Sequence, residues 1–269
     1  MEKFLIGADP ELFLQKDGKF VSVEDSNGPL IPGTKRNPHE VQGGAIQVDG
    51  VAAEFNVNPS DNFKDFYENI KSVVTNLRSY IKRHDDRMVL APIPTAFFDP
   101  EYFSKLPMHT RRLGCDPDFD AYKDGAPNPR PKTKLPMRTG AGHIHFGWTT
   151  GAKETSEGHM ADCIILTKVL DKVFTFAQTD WDNDRQRMRL YGKPGSFRPK
   201  PYGMEYRPTS NAWVKSPEVI YDVFRMALGS IRALDSGQLD LDFKDLAKSP
   251  GETKSEKVLN YLGGYIYDL

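Results

Sequence analysis

The sequence predicts an α+β fold, with a largely antiparallel, curved sheet and helices on one face of that sheet. Short strand-like segments are joined by tight turns, which favours antiparallel pairing. Longer segments with apolar residues at helical spacing interrupt these strands at irregular intervals rather than in a βαβ pattern. The sequence contains no internal repeat and no evident linker, so we predict a single domain over residues 1–269.

The predicted strands are short apolar runs bounded by turn residues. Pro10 interrupts the first run and predicts an edge position or a bulge, since proline cannot donate a hydrogen bond to a neighbouring strand. Asp17-Gly18 and Asp49-Gly50 are typical hairpin turns. The predicted strands cover residues 3–14, 15–22, 45–58 (two strands), 88–97, 141–149 and 203–208.

The predicted helices have apolar residues three or four apart. Ser60 or Asp61 can cap the first, whose apolar residues recur over 63–81. Ser216 followed by Pro217 is a typical helix start, because serine caps the helix and proline suits its first turn. The other helices are predicted over about 157–178, 216–234 and 255–262.

Composition narrows the possible classes of protein. Apolar residues make up 38% of the 269 residues, enough for a core, and the net charge of −1 gives no reason to expect nucleic acid or an anionic membrane as a partner. No stretch approaches the ~18 apolar residues of a membrane span, and the N-terminus does not resemble a signal peptide. Two cysteines, Cys115 and Cys163, make no disulfide framework, so a cytoplasmic location is expected.

Four strand-like segments carry polar residues two positions apart, which places their side chains on one face of a sheet. A sheet face lined with acids, imidazoles and an arginine is costly unless metal ions or phosphates compensate the charge. This combination points to phosphoryl-transfer chemistry. The residues are Asp9 and Glu11; Glu54, Asn56 and Asn58; His143 and His145; and Glu205 and Arg207.

Each of these groups also has an ordinary structural alternative. Acids near Pro10 are often a solvated strand end, a histidine pair is often hydrogen-bonded rather than metal-bound, and Glu205 and Arg207 can form a salt bridge of little energetic value. Glu54 is the stronger candidate, because asparagine is a poor strand former and two of them share its face.

A basic segment precedes the last of these strands. It has glycines that let the backbone approach a ligand, and it contains no acid from Gln186 to Met204. Arginines bind phosphate in a two-pronged fashion, which predicts a phosphate clamp. The basic residues are Arg187, Arg189, Lys193, Arg198 and Lys200.

Several other signals are absent. The sequence has neither a P-loop nor a dinucleotide-binding GxGxxG motif. The acids Asp116, Asp118 and Asp120 resemble a calcium loop, but the positions that need glycine and glutamate carry other residues. Nothing around Cys115 indicates a catalytic thiol, and a structural role is expected.

The segments GADPELFL, VAAEFNVNPS, GHIHFGW and RLYGKPGSFRPKPYGMEYRPTSNAW resemble the phage-type carboxylate–amine ligases of the glutamine synthetase and γ-glutamylcysteine ligase superfamily. The resemblance runs from Gly7 to about Trp213. It implies an antiparallel sheet, similar to the glutamine synthetase catalytic domain, that holds ATP and two divalent metals (Mg²⁺ or Mn²⁺). It also implies a phage-encoded enzyme of the host cytoplasm that forms an amide or peptide bond through an acyl phosphate.

The resemblance also implies roles for single residues. Arg198 and Arg207 would be catalytic through their contacts with the phosphoryl group. His143 and Asn56 would join the basic segment in binding nucleotide. Asp9 stands where glutamine synthetases use glutamate, which shortens its reach. The implied metal ligands are Asp9, Glu11, Glu54, His145 and Glu205, with His143 as the alternative to His145.

Two alternatives stay open at this level: a kinase or nucleotide-hydrolysing relative on the same sheet, and a binding module without activity. The sequence names neither the carboxylate nor the amine substrate, which can be small molecules or peptides, and an oligomer is possible. The long irregular segment 99–140 is where we expect substrate selection, because long loops often cover sites. Its arginines are Arg111, Arg112, Arg130 and Arg138.

Overall fold

The computed structural model describes residues 4–112, 118–237 and 251–266. Cys115 and Asp116 therefore lie outside the described residues. Within these ranges every helix is too short or too polar to span a bilayer. The helices are α1 (Phe63–His84), α2 (Pro100–Lys105), α3 (Glu157–Ala177), α4 (Arg185–Leu190), α5 (Pro217–Asp235) and α6 (Lys254–Tyr261).

Strands account for most of the remaining regular structure. All strand pairs between them are antiparallel, as the tight turns predict. The strands are β1 (Leu5–Lys16), β2 (Lys19–Val21), β3 (Glu24–Asp25), β4 (Gly28–Pro29), β5 (His39–Val41), β6 (Gly44–Asp49), β7 (Ala52–Ser60), β8 (Met88–Ala91), β9 (Thr95–Phe97), β10 (Phe119–Asp120), β11 (Ala126–Pro127), β12 (Met137–Thr139), β13 (Gly142–Gly147), β14 (Ser196–Lys200) and β15 (Gly203–Tyr206).

One large sheet organises the described part of the chain. Its strand order is β11-β10-β14-β15-β13-β1-β7-β6-β5, and β2 and β8 also pair with β1. The predicted α+β class with a largely antiparallel sheet is confirmed. The order is far from the order along the chain, because β13 and β15 come between β1 and β14.

The sheet has one face against helices and one face that carries polar groups. On β1 the side chains of Ile6, Ala8 and Leu12 are buried in the main core, and Asp9 and Glu11 alternate with them onto the other face. Helices α1, α3 and α5 supply the opposite wall of this core. The predicted division between a packed face and a polar face is therefore confirmed.

The start of α1 differs from the sequence prediction. Ser60 still belongs to β7, and Asn62 caps the helix, its side chain accepting a hydrogen bond from the backbone nitrogen of Asp65. Asparagine caps helices as well as serine does, so local preference did not separate these candidates. At α5 the prediction is confirmed, because the Ser216 side chain accepts from the backbone nitrogen of Val219.

Two strand predictions are corrected. Pro10 does not mark a sheet edge, because β1 lies between β13 and β7, and the irregular register with β7 falls between Ile6 and Ala8. The predicted strand over 88–97 is two strands in different sheets, β8 beside β1 and β9 beside β12. Two prolines separate them, and proline interrupts strand pairing.

Candidate active site

A cavity of about 320 Å³ opens on the polar face of the large sheet. It receives residues from six neighbouring strands, β14, β15, β13, β1, β7 and β6. All but four of the residues proposed from the four strand segments and the basic segment line it. Those that do are Asp9, Glu11, Asn56, Glu54, His143, His145, Arg198, Lys200, Glu205 and Arg207.

Strand register explains why these distant residues meet. Arg198 on β14 is opposite Glu205 on β15, and Glu205 is opposite His145 on β13. Directly opposite residues in an antiparallel pair point to the same face with their Cβ atoms about 5 Å apart. The three side chains therefore form one row across the sheet.

A second set of cross-strand pairs lies beside this row. Asp9 on β1 is opposite His143, and Glu11 on β1 is opposite Glu54 on β7. A pair of carboxylates directly opposite each other is destabilising unless a cation lies between them. The next strand adds Gln47 opposite Glu54.

The first half of the cavity is acidic. Carboxylate oxygens of Glu11, Asp49 and Glu54 all lie within 4.8 Å of one another, an arrangement with the dimensions of a cation site. Burial, and then the Asp49 carboxylate, raises the pKa of Glu11 to about 8 and that of Glu54 well above its usual range. The Lys35 ammonium group compensates part of this charge, at 2.6 Å from Asp49 Oδ2 and 3.9 Å from Glu54 Oε2.

A second possible cation site lies at the middle of the cavity. Ligand atoms of Asp9, His145 and Glu205 also lie within 4.8 Å of one another. His145 contacts Tyr202, whose hydroxyl is 2.6 Å from Nδ1, and this contact leaves Nε2 directed toward Asp9 at 3.3 Å. An imidazole nitrogen with two carboxylates offers three ligands to a divalent cation, and the two carboxylates are the ligands that suit Mn²⁺ or Mg²⁺.

Two buried atoms show that divalent ions fit these groups. Glu54 Oε2 and His145 Nε2 are both shielded from solvent, and neither has a hydrogen-bond partner among the residues that the structure describes. Buried polar atoms are nearly always paired, and an unpaired one points to a missing ligand such as an ion. One such atom belongs to each of the two groups, so each group has an open ligand position.

His143 differs from His145 in its surroundings. Its Nδ1 is 3.0 Å from Asp9 Oδ1, and its Nε2 is 3.0 Å from the Tyr191 hydroxyl, so both ring nitrogens are engaged. Burial, and then the charge of Arg207, lowers the pKa of His143 to about 3. A neutral imidazole therefore holds Asp9 and Tyr191 in place.

The other half of the cavity is cationic. Arg198 Nη1 and Lys200 Nζ are each 3.1 Å from Glu205 Oε2, and Arg207 donates to Glu205 Oε1. Three cations surround one carboxylate, which leaves an excess of positive charge. Guanidinium groups held in this way suit the oxygens of a polyphosphate.

Arg207 is the most enclosed of these cations. Its side chain is 2% exposed, its Nε donates to Asp118 Oδ2 at 3.1 Å, and Nη2 donates to the Tyr191 hydroxyl. These contacts fix the plane of the guanidinium. Asp118 belonged to the aspartates that resemble a calcium loop, and the structure shows it paired with this arginine.

Arg187 is not directed into the cavity. Its Nε, Nη1 and Nη2 donate to the backbone carbonyls of Gly140, Pro208 and Thr209, at 3.1, 2.6 and 2.8 Å. The side chain thus fastens the start of β13 to the segment after β15. We therefore assign Arg187 to positioning the backbone rather than to nucleotide contact.

Three further predicted residues also lie elsewhere. Arg189 and Lys193 are exposed and outside the cavity lining, although both belong to the basic segment. Asn58 shares the strand face of Glu54 but is exposed at the far end of β7. Charge and strand period alone did not show how far along each element the cavity extends.

Several cavity residues were not predicted from the sequence. Asp49 was interpreted only as a turn residue, and Lys35 lies in a segment rich in glycine and proline. Tyr191 lies in the basic segment between Arg189 and Lys193, where the prediction considered only the charged residues and the glycines. The sequence did contain a signal for Asp49. It is an acid directly before the hairpin glycine Gly50, and the strand after that turn carries Glu54.

Residues 134–247 match the family model described as Phage phiEco32-like COOH.NH2 ligase-type 2. This part of the chain is therefore similar to that ligase family. The matched segment contains the cationic half of the cavity and both histidines. The acids Asp9, Glu11 and Glu54 lie outside it, and the sheet brings them to the ligase segment. No curated protein matches the sequence at the required significance.

Proposed function

We propose that this protein is an ATP-dependent ligase that joins a carboxylate to an amine. The observation that carries the proposal is the division of one cavity into an acidic half and a cationic half, formed by residues of a carboxylate–amine ligase segment and by the neighbouring strands. A nucleoside triphosphate with divalent cations has the complementary charges, because the cations suit the acidic half and the phosphate oxygens suit the cationic half.

The reaction has two balanced steps. An oxygen of the substrate carboxylate forms a bond to the γ-phosphorus, the bond from that phosphorus to the β-phosphate oxygen breaks, and ADP leaves. The amine nitrogen then bonds to the acyl carbon, the carbon–oxygen bond to phosphate breaks, and the amine loses a proton. The products are an amide, ADP and inorganic phosphate.

Each half of the cavity contributes differently to these steps. Glu11, Asp49 and Glu54, and likewise Asp9, His145 and Glu205, would hold divalent cations, which would neutralise charge on the phosphates. Arg198 and Arg207 direct N–H donors to the place where charge shifts onto the departing and transferring oxygens. Such donors accelerate the reaction when their bonds strengthen in the transition state.

Release of ADP tests the proposal. Wild-type protein with Mg²⁺ and ATP is incubated with panels of carboxylates and amines, and the expected result is release that requires one of each. Release with water alone would indicate a nucleotide hydrolase, and release with a carboxylate or alcohol but no amine would indicate a kinase. Failure to bind ATP with Mn²⁺ by calorimetry would reject an ATP-dependent function.

A pair of variants links that activity to the cavity. Arg198→Met is expected to lower kcat by about 100-fold, the loss typical for one donor to a developing charge. Arg189→Met is the matched control, because Arg189 is an exposed arginine of the same basic segment that does not line the cavity. Equal activity in both variants would contradict the assignment of Arg198.

A further inference from the structure

Arg138 is a buried arginine that has no acidic partner within the described part of the chain. Its residue is 8% exposed, and its Nε is shielded from solvent and has no hydrogen-bond partner among the same residues. Among the described residues the ion pairs include none with Arg138. Burying an unpaired charge is costly, so folding alone gives no reason to keep this guanidinium here.

The guanidinium is nonetheless held in one orientation. Its Nη1 donates to the backbone carbonyl of Met137 at 2.6 Å, and its plane lies over the Phe103 ring at 4.8 Å. Burial, and then the nearby Arg111, lowers the pKa of Arg138 to about 10, so the group is still charged at neutral pH. The bond to Met137 engages Nη1, and the Phe103 ring covers one face of the guanidinium. The edge formed by Nε and Nη2 remains available to a ligand.

Arg138 lines the same cavity and belongs to a segment that reaches its acidic half. It lines the cavity together with Arg112 and Thr139, and β12 leads within two residues to Ala141, whose N–H donates to the Glu11 carboxylate. Arg198, Lys200 and Arg207 surround Glu205 in the cationic half. The cavity therefore has a further cation besides the three around Glu205.

We propose that Arg138 binds a substrate carboxylate that does not react. This inference rests on the proposed ligase function. The Nε and Nη2 edge of an arginine binds the two oxygens of a carboxylate. A carboxylate that becomes an acyl phosphate loses its charge, so a strong bond to it in the ground state would oppose the reaction. A carboxylate that keeps its charge throughout suits this position.

Two substrates can supply such a group: a dicarboxylate whose other end reacts, or an amine that also carries a carboxylate, such as an amino acid. Calorimetry of the full chain with glutarate, L-alanine and butyrate, without nucleotide, distinguishes them. Binding of glutarate indicates the acyl substrate, and binding of L-alanine indicates the amine. Because no nucleotide is present, the result does not depend on whether ATP is the phosphoryl donor.

The variants Arg138→Met and Arg138→Lys test the residue, with Arg130→Met as the control. Arg130 is exposed, belongs to the same segment and does not line the cavity. Arg138→Met is expected to weaken binding of glutarate or L-alanine by about tenfold or more, as loss of a charged hydrogen bond does. Arg138→Lys keeps the positive charge but loses the two-pronged donor geometry, so its affinity should lie between those of the wild type and Arg138→Met. Butyrate binding should be unchanged.

Thermal unfolding separates ligand binding from a structural role. If Arg138 serves a ligand, Arg138→Met should unfold at the same temperature as the wild type or higher, because an unpaired buried charge has been removed. The proposal is overturned if neither glutarate nor L-alanine binds the wild type, or if Arg138→Met binds them equally well. A lowered unfolding temperature with unchanged binding would assign Arg138 to the fold instead.

Discussion

The ammonium nitrogen of Lys35 lies 2.6 Å from Oδ2 of Asp49, inside a group of three buried or half-buried acids. Burial lowers the pKa of Lys35, but the carboxylates of Asp49 and Glu54 outweigh this effect and hold it above its usual range. The lysine therefore occupies the position of a cation among carboxylates. It stabilises the acidic half of the cavity and competes with any divalent ion there.

Replacing this lysine should strengthen metal binding at the acidic half. We expect Lys35→Met to bind Mn²⁺ about tenfold more tightly, since one competing charge is removed, and to unfold at a lower temperature without metal. Titration followed by electron paramagnetic resonance measures the affinity. Lys19→Met, an exposed lysine outside the cavity, is the control. Weaker Mn²⁺ binding in Lys35→Met would show that the lysine supports the ion instead.

Glu54→Gln should separate stability from metal binding. Glu54 is buried opposite Glu11, so without metal at pH 8 the amide should raise the unfolding temperature by relieving repulsion. The same change should abolish most of the stabilisation that Mn²⁺ gives the wild type. Glu40→Gln, at an exposed position of β5, should leave both quantities unchanged. An unaltered Mn²⁺ effect in Glu54→Gln would argue against an ion in the acidic half.

Tyr191→Phe should lower the rate without unfolding the protein. The tyrosine hydroxyl accepts from Arg207 and contacts His143 Nε2, and the ring that remains still lies below the Arg207 guanidinium at 5.5 Å. We expect kcat for ADP release to fall about tenfold, as one hydrogen bond that orients a catalytic group is lost. Tyr67→Phe on α1 is the control. A wild-type kcat would exclude a role for the hydroxyl in orienting Arg207.

The free energy of unfolding should fall with rising pH because of Asp171, a buried carboxyl group on α3. Burial raises the pKa of Asp171 to about 6, although Tyr206 Oη and the Gly195 nitrogen donate to it. The folded protein therefore holds a proton between about pH 4 and pH 6 that the unfolded chain releases. The stabilisation is complete below pH 4 and is lost as pH rises through 6, on the order of 3 kcal/mol.

Asp171→Asn should remove this part of the pH dependence. Chemical denaturation at several pH values between 4 and 7 measures it, as the difference in the free energy of unfolding between variant and wild type. The other carboxyl groups whose pKa is raised, among them Glu11, Glu54 and Asp222, are present in both proteins and cancel in that difference. Parallel curves for the two proteins would show that Asp171 is ionised throughout the range.

The sequence predicted the local features of the fold well. The hairpin turn at Asp17-Gly18 has both residues in the left-handed region, at φ 51° and 76°, as a two-residue turn requires. The apolar spacing of α1 predicted its buried face. These features depend on residues a few positions apart. The predicted cap of α1 was wrong because nearby residues have similar capping preferences. The predicted strand over 88–97 was wrong because its two prolines interrupt strand pairing.

The cavity shows where sequence reasoning ended. Strand period correctly predicted that Asp9 and Glu11 share a face, but it did not show that Arg187 turns to backbone carbonyls or that Lys35 reaches Asp49. Those outcomes depend on loops and on partners as far as 47 residues away along the chain. Residues identified by charge alone, Arg189 and Lys193, proved to lie outside the cavity.

The sequence by itself determined which side chains alternate onto the polar face, because alternation along a strand is set by backbone geometry within a few residues. Only the tertiary structure decided that β13 and β15 lie between β1 and β14, which places Glu205 beside His145 and Arg198. Strand order depends on how the whole apolar face packs against α1, α3 and α5. For that reason the division of the cavity into acidic and cationic halves emerges only in the folded chain.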